Sequence, residues 1–488
     1  MNNENHIISS DEEEYYDNNE QDSDEDYEEE NNDLTSIISK SSSNSSIYRF
    51  QSILQNISED DISDIIIDIY EQITDFLETN IILISSPNFY ANMFETISNV
   101  LYEEWLEAGF FIEDDENKEN LLEIQEFVEQ LWNVYIDFSQ IPQRSISYSF
   151  IRNDNIIENL SNIITEKIKK LKDIPQHIQR SPEWYEFRSN LLSASSIWKI
   201  FSSESQINSL IYEKCSPTPQ YGNDFSKTNT ESAAHWGIKY EPVTVMIYEN
   251  LFNTEIGDFG CIRHPLYDFI GASPDGINIE PNSNRYGRML EIKNIVNREI
   301  TGIPKEEYWI QTQIQMETCD LEYCDFMETR FLEYKDSKDF YEDKMRDYKG
   351  VILYFIEKNV NSSTVNVPTY KYMPLDIDLD YESINYWIEF ICIEFKKKGL
   401  LLFSTIYWYL EEYSCVLIPR NRLWFQAALP KIKTVWETIL KERVDGYEHR
   451  SSKKKILANT IVSSNSFNQN YLIENLKVNK SICLVKLD

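Results

Sequence analysis

Three sets of apolar residues recur three and four positions apart in the first third of the chain. Ile62, Ile65, Ile66, Ile69, Ile73, Phe76 and Leu77 make the first; Met93, Ile97, Leu101 and Trp105 the second; Leu121, Ile124, Phe127, Val128, Leu131 and Tyr135 the third. Each spacing gathers its apolar side chains on one face of an α-helix. Gly109 and the polar run 113–117 separate the second helix from the third. Further on, the pattern shortens to strands over 256–263, 269–272 and 289–295, with a polar, turn-forming loop at 282–288. A helix is predicted over 305–318, then strands over 325–334, 351–357 and 369–372, and two closing helices over 381–398 and 422–443. The expected fold is α/β in the broad, α+β sense: a mixed central sheet flanked by helices, preceded by a helical domain.

Length divides this pattern into four segments. The chain has 488 residues, more than one compact core normally organises. Residues 1–46 read as an acidic disordered tail, 47–175 as a helical accessory domain, 176–445 as the mixed-sheet domain, and 446–488 as a polar tail. Composition supports the first division, because residues 1–34 hold 15 acidic side chains and no Lys or Arg and bury too little apolar surface to offset ordering. The whole chain carries −38, so −23 remains outside that stretch. Contact with a polyanion therefore has to come from a focused basic patch. Lys167, Lys169, Lys170 and Lys172 form one such cluster, readable either as a solvated helix face or as a surface that follows phosphates.

The seven cysteines, at 215, 261, 319, 324, 392, 415 and 483, include no Cys-x-x-Cys pair, so reduced thiols are expected rather than a zinc site. The acidic start is unlike a signal peptide, and the longest apolar run, 400–410, is far below the roughly 20 residues that span a bilayer. These features predict a soluble intracellular protein that is neither secreted nor membrane-bound.

Candidate chemistry concentrates between Gly271 and Lys293. Gly271-Ala272-Ser273-Pro274-Asp275-Gly276 is followed, after a gap, by Met289-Leu290-Glu291-Ile292-Lys293. Strand alternation sends Glu291 and Lys293 to one face and Ile292 to the other. Asp275 and Glu291 are hard oxygen ligands of the kind Mg²⁺ takes, to which the Ile292 backbone carbonyl can add a third; a cation beside them can orient a water and stabilise developing charge. Each motif alone is ordinary, since Ser-Pro-Asp-Gly is a common turn and Glu-x-Lys a common charged strand. Their order is less ordinary: Gly237 and Glu241 precede them on a helix, and a helix with Tyr308, Gln311, Gln313 and Gln315 follows. Upstream, Ser181-Pro182-Glu183 is a helix start. That helix carries Trp184 and Arg188, and Ser195 lies seven residues beyond Arg188 at the head of another, a pairing suited to a terminal phosphate.

The segment from Ser181 to about Arg330 resembles the YqaJ-like viral recombinase family, the lambda-exonuclease-type branch of the PD-(D/E)XK nucleases. The resemblance rests on Trp184 to Ser195, Gly237 to Glu241, Ser273-Pro274-Asp275-Gly276, Glu291-Ile292-Lys293 and Tyr308 to Gln313. Later residues, Tyr407 to Glu411, Pro419-Arg420-Asn421 and Trp424 to Trp436, are similar to longer versions of the domain in large DNA viruses. The resemblance implies a restriction-endonuclease-like core in which Asp275 and Glu291 bind Mg²⁺, or Mn²⁺ in its place, with help from Glu241 and the Ile292 carbonyl. Lys293 would assist the nucleophilic water, Gln313 or Gln311 would contact the water or the scissile region, and Arg188 and Ser195 would hold a 5′-phosphate. It implies a Mg²⁺-dependent 5′-to-3′ exonuclease on linear double-stranded DNA ends, acting in recombination or end repair. Its partner would be a single-strand annealing protein, its compartment the host cytoplasm or a viral replication site, and a homo-oligomer is allowed. Two other readings stay open: a structure-selective endonuclease with the same site, and a silent nuclease-like fold used for binding or packaging. One departure is local: Asn294-Ile295 follow the lysine where the family often has proline or cysteine.

Overall fold

The computed structural model describes residues 59–111, 117–139, 141–147, 158–177, 181–217, 232–357 and 368–451. The acidic segment 1–46 and residues 452–488 lie outside them. The chain separates into two units, Met1–Ile67 and Asp68–Asp488; the first is described only from Glu59, as the opening turns of α1 (Glu59–Thr79), and all that follows concerns the second.

The predicted helices form where their periodicity placed them. Besides the rest of α1 these are α2 (Phe89–Glu107) and α3 (Asn117–Phe138). Ile69, Ile73 and Leu77, then Met93, Ile97, Leu101 and Trp105, then Ile124, Val128 and Leu131 are all buried. Next come β1 (Ile146–Ser147) and α4 (Glu158–Asp173). These helices pack into the sheet-bearing part of the chain. The Trp424 indole donates to the Ile82 carbonyl at 3.2 Å, Ser85 Oγ donates to Glu306 at 2.9 Å, and the Trp309 indole donates to the Arg144 carbonyl at 2.7 Å. Arg144, itself buried, returns hydrogen bonds to the carbonyls of Ser85 and Pro304.

Then follow α5 (Pro182–Ser189), β2 (Leu192–Ser193), α6 (Ala194–Ile197), α7 (Glu204–Cys215) and α8 (Ala233–Phe252). The strands β3 (Ile256–Gly257), β4 (Ile262–Arg263), β5 (Ile270–Ala272), β6 (Gly276–Asn278) and β7 (Met289–Asn294) lead to α9 (Glu306–Cys319). The chain continues through β8 (Tyr323–Glu333), α10 (Ser337–Glu342), β9 (Lys349–Glu357), β10 (Thr369–Tyr372), α11 (Tyr381–Lys397), β11 (Leu400–Pro419) and α12 (Arg422–Asp445). The main sheet runs β10-β9-β11-β8-β7-β6-β3, with β1 on β11; β7 and β8 are parallel and the other pairs antiparallel. A small second sheet runs β2-β5-β4.

Two elements depart from expectation. The single strand over 256–263 divides into β3 and β4, which belong to different sheets. Gly260, at the break, packs closely on Gln176: a Cβ there would lie 3.1 Å from that side chain, which would have to give way by a few tenths of an ångström. More consequentially, 400–419 is a single 20-residue strand, paired on one side with β8 and on the other with β9 and then β1.

The middle of the sheet is covered on both faces. On one, α8 packs Tyr240, Val243, Ile247 and Tyr248 against Leu290, Ile292, Met327, Phe331, Ile352 and Trp408. On the other, α11 covers Val351, Leu353 and Phe355, and α9 covers Glu291 and Phe326 through Gln311, Gln315 and Tyr308. Such two-sided burial makes β7 a rigid support for a charged group.

Candidate active site

Asp275 stands one residue before β6, and β6 pairs antiparallel with β7 so that Gly276 faces Leu290. The carboxylate of Asp275 is thereby turned onto the β7 backbone, where Oδ2 accepts from the Ile292 N–H at 2.7 Å. Glycine is required next to it: a Cβ on Gly276 would stand 2.2 Å from Ile256 Cγ2. The turn sequence is therefore a packing requirement as well as a turn.

Glu291 and Lys293 project together, as alternation demands, and Ile292 enters the core beneath α8. Glu291 is 1% exposed. Its Oε1 takes hydrogen bonds from Lys293 Nζ and from Gln311 Nε2 (2.6 Å), its Oε2 from Gln315 Nε2 (2.7 Å). Lys293 Nζ also lies 5.0 Å from the Tyr308 ring centroid. Burial, followed by the charges of Glu291 and Glu241, drives the Asp275 pKa well above the carboxylate range, and Lys293 opposes this only in part. For Lys293 burial disfavours the ammonium, yet Glu291 and Asp275 outweigh it and its pKa lies above the ordinary lysine value. The cluster holds more negative charge than its one lysine balances.

Glu241 is exposed on α8. With Asp275, Trp184, His177, Asp258 and Gly260 it lines a cavity of about 460 Å³. Arg188 reaches this wall indirectly, its guanidinium 4.6 Å from the Trp184 ring centroid. The C-terminal end of α5, which carries Arg188, is held by two other cations: Lys214 donates to the Arg188 carbonyl at 2.9 Å and Arg443 to the Ser189 carbonyl at 2.6 Å. Ser195 is exposed, 3.3 Å from Ser193 Oγ. Because β2 and β5 are parallel neighbours, the chain leaves both on the same side, toward Ser195 from one and Asp275 from the other.

Gln313 is a correction. It is fully buried, donates to the Pro419 carbonyl at 3.0 Å and accepts from the Asn421 N–H at 2.7 Å. A helical step of two residues rotates a side chain by about 200°, so Gln313 points to the β11–α12 corner while Gln311 faces Glu291. The residue that shares Gln311's face is Gln315, four positions on, which the spacing already contained. Gln313→Ala should destabilise the protein by about 1–3 kcal/mol, the cost of stranding the Asn421 N–H and the Pro419 carbonyl. Urea unfolding measures it, and a change within about 0.5 kcal/mol, as for a surface substitution, would contradict the corner role. Lys167 is likewise committed, to Asp320 at 3.0 Å, so it is less available to a phosphate than its sequence cluster suggested.

Residues 183–322 match the YqaJ-like viral recombinase domain. That span contains every site residue named above from Trp184 to Gln315. An uncharacterized protein of Acanthamoeba polyphaga mimivirus is 29% identical over 307 residues, 56% of this chain and 54% of that protein; the chain thus spans about half the length of that relative. Among solved structures, an alkaline exonuclease from Laribacter hongkongensis is similar at 19% identity, covering 57% of this chain and 100% of its own, with a TM-score of 0.31. A phage-related exonuclease from Haemophilus somnus 129PT is similar at 13% identity, covering 55% and 99%, with a TM-score of 0.28.

Whether the site suits a divalent cation follows from its own donors. Among the described residues no group of three or more His, Cys, Asp or Glu side chains is arranged to hold a metal ion; Glu291 itself is turned toward Lys293 and two glutamines. Asp275 and Glu291 nonetheless bring two hard oxygen donors together with excess negative charge. Beside them, two buried oxygens, Ser273 Oγ and Gln315 Oε1, lack hydrogen-bond partners among the described residues. A hydrated hard cation would satisfy both features, supplying charge to the carboxylates and water hydrogens to the oxygens. The donor set fits Mg²⁺. Among the described residues no helix is long and apolar enough to cross a membrane.

Proposed function

We propose that this protein is a Mg²⁺-dependent deoxyribonuclease of the lambda-exonuclease type, degrading linear duplex DNA from 5′ ends in recombination or end repair. The observation that carries this reading is the meeting of Asp275, Glu291 and Lys293 at the β6–β7 pairing, with Glu241 across the same cavity. Asp275, Glu291, the Ile292 carbonyl and Glu241 would hold the cation, Mn²⁺ serving in its place; bound there, it would supply charge neutralisation and a water activated near neutral pH.

The chain's own groups do the rest. Lys293 places a positive charge where an attacking water and a phosphoryl oxygen would meet, and Gln311, already 3.4 Å from Lys293 Nζ through Oε1, aligns the lysine. Gln315 fixes the second Glu291 oxygen, so the carboxylate has one orientation. Trp184 offers a ring on the cavity wall, Arg188 a forked cation stacked on that ring, and Ser195 an exposed hydroxyl; together they would receive a terminal 5′-phosphate. A chain this acidic gains little from its overall field, so recognition of an end through one arginine suits it better than tracking of a long duplex. DNA ends are the proposed substrate and a strand-annealing protein the proposed partner.

Three DNA forms separate the alternatives. In Mg²⁺, a linear duplex with 5′-phosphates should be degraded about 10-fold to 100-fold faster than its dephosphorylated form, the range expected for a charge-assisted Arg–phosphate contact of about 1.5–3 kcal/mol. Arg188→Ala should erase that difference. Cutting of covalently closed circles would instead favour the endonuclease, and no cleavage of any form would favour the silent binding fold.

A further inference from the structure

We propose that Asn294, the residue that follows the lysine, is a positioning residue that locks the Glu241-bearing turn of α8 to the strand carrying Glu291 and Lys293. The inference rests on the nuclease reading above and extends it to a side chain with no direct role in the chemistry.

The side chain of Asn294 makes three hydrogen bonds to two elements. Its Nδ2 donates to the Gly237 carbonyl on α8 at 3.0 Å. Its Oδ1 accepts from Thr244 Oγ1 on α8 at 2.8 Å and from Thr329 Oγ1 on β8 at 2.6 Å. Both threonines are fully buried, and Asn294 and Thr329 are direct partners in the β7–β8 register. Gly237 lies four residues before Glu241 and Thr244 three after it, so the two gripped points lie on the helix face that carries Glu241, one on each side. That stretch of helix needs holding. Pro242, immediately after Glu241, has no N–H to give to the preceding turn, which weakens the backbone ladder there. The same turn is anchored at a second point as well, by Lys239 and Tyr240 on Glu333.

A buried asparagine that can serve donor and acceptor at once suits this junction. Aspartate would lose the bond to the Gly237 carbonyl, leucine all three. Thr329→Val removes one hydroxyl without changing shape, and Thr329→Ser retains it.

Mn²⁺ binding by the full chain, measured without DNA, tests the idea alongside cleavage. Asn294→Ala and Thr329→Val should weaken Mn²⁺ affinity by about 10-fold to 100-fold, the range for partners that orient a ligand without touching the metal, while Thr329→Ser stays within about twofold of the native protein. In a Glu241→Ala background, Asn294→Ala should cost no further affinity, because its effect passes through Glu241. Independent, additive losses overturn the proposal, and so does a fall in melting temperature with Mn²⁺ affinity unmoved. Absence of both Mn²⁺ binding and cleavage in the native protein overturns the nuclease reading and this inference together. Normal cleavage with Mn²⁺ affinity unmoved by Asn294→Ala overturns this inference alone.

Discussion

Lys293→Ala should lower the rate of degradation of 5′-phosphorylated linear duplex in Mg²⁺ by about 10²–10⁴-fold, the span associated with losing a positioned proton-transfer or charge-stabilising group. The same substitution should cost some stability, since it removes the cation paired with the buried Glu291, but leave the fold in place. Glu291 would still receive hydrogen bonds from Gln311 and Gln315, and Lys293 contributes no apolar contact to the core beneath α8. DNA binding in EDTA, with single-turnover cleavage after Mg²⁺ addition, distinguishes loss of chemistry from loss of binding. Asp275→Asn should fall as far by another route: it removes a carboxylate from the cation's donor set while the amide oxygen can still accept from the Ile292 N–H. Retention of more than about a tenth of native turnover in Lys293→Ala, a deficit under 1.4 kcal/mol, would remove the lysine from the chemistry.

What could be read from the sequence was local. Helix periodicity placed α1, α2 and α3 because Ile69, Ile73, Met93, Ile97, Ile124 and Val128 recur within single turns of each other and are buried. The Glu-x-Lys spacing placed Glu291 and Lys293 on one face for the same reason, at a period of two. β11 was less legible. Its pairing is with residues far away in sequence, its alternation is broken by register shifts at 402/404 and 410/412, and much of its first half is only partly buried. The choice between Gln313 and Gln311 stays open in the sequence because a Gln-rich run is ambiguous about which face meets the site; the position of Glu291 relative to α9 turns Gln311 toward it and Gln313 away. Asn294 shows in the sequence only as a local departure after the lysine, because its partners, Gly237 and Thr329, are 57 and 35 residues away.

Arg285→Ala should destabilise the protein by about 3–5 kcal/mol, as when one partner of a buried ion pair is removed, with no contact to the candidate site lost directly. Asp325 is fully buried on β8, beside Leu290 in the parallel register and so one residue from Glu291. It accepts from Arg285 and from the Tyr248 hydroxyl at 2.5 Å, with Arg288 at 3.5 Å. Tyr248 is in turn hydrogen-bonded by Asn278 at 3.1 Å, so the network ties α8, β6, β8 and the 280–288 loop together. The guanidinium of Arg285 also lies 3.4 Å from the Phe252 ring centroid. Alanine would take the nearest guanidinium away from a fully buried carboxylate, which is what makes the substitution costly. Asp325→Leu combined with Arg285→Met should recover much of the loss, because an apolar pair of similar volume bears no desolvation cost. Urea unfolding of the two single variants and the double variant measures this. A cost for Arg285→Ala within about 0.5 kcal/mol would mean that Asp325 is satisfied without it. A double variant no better than the singles would point to Tyr248 and Asn278, rather than charge pairing, as the groups that require the network intact.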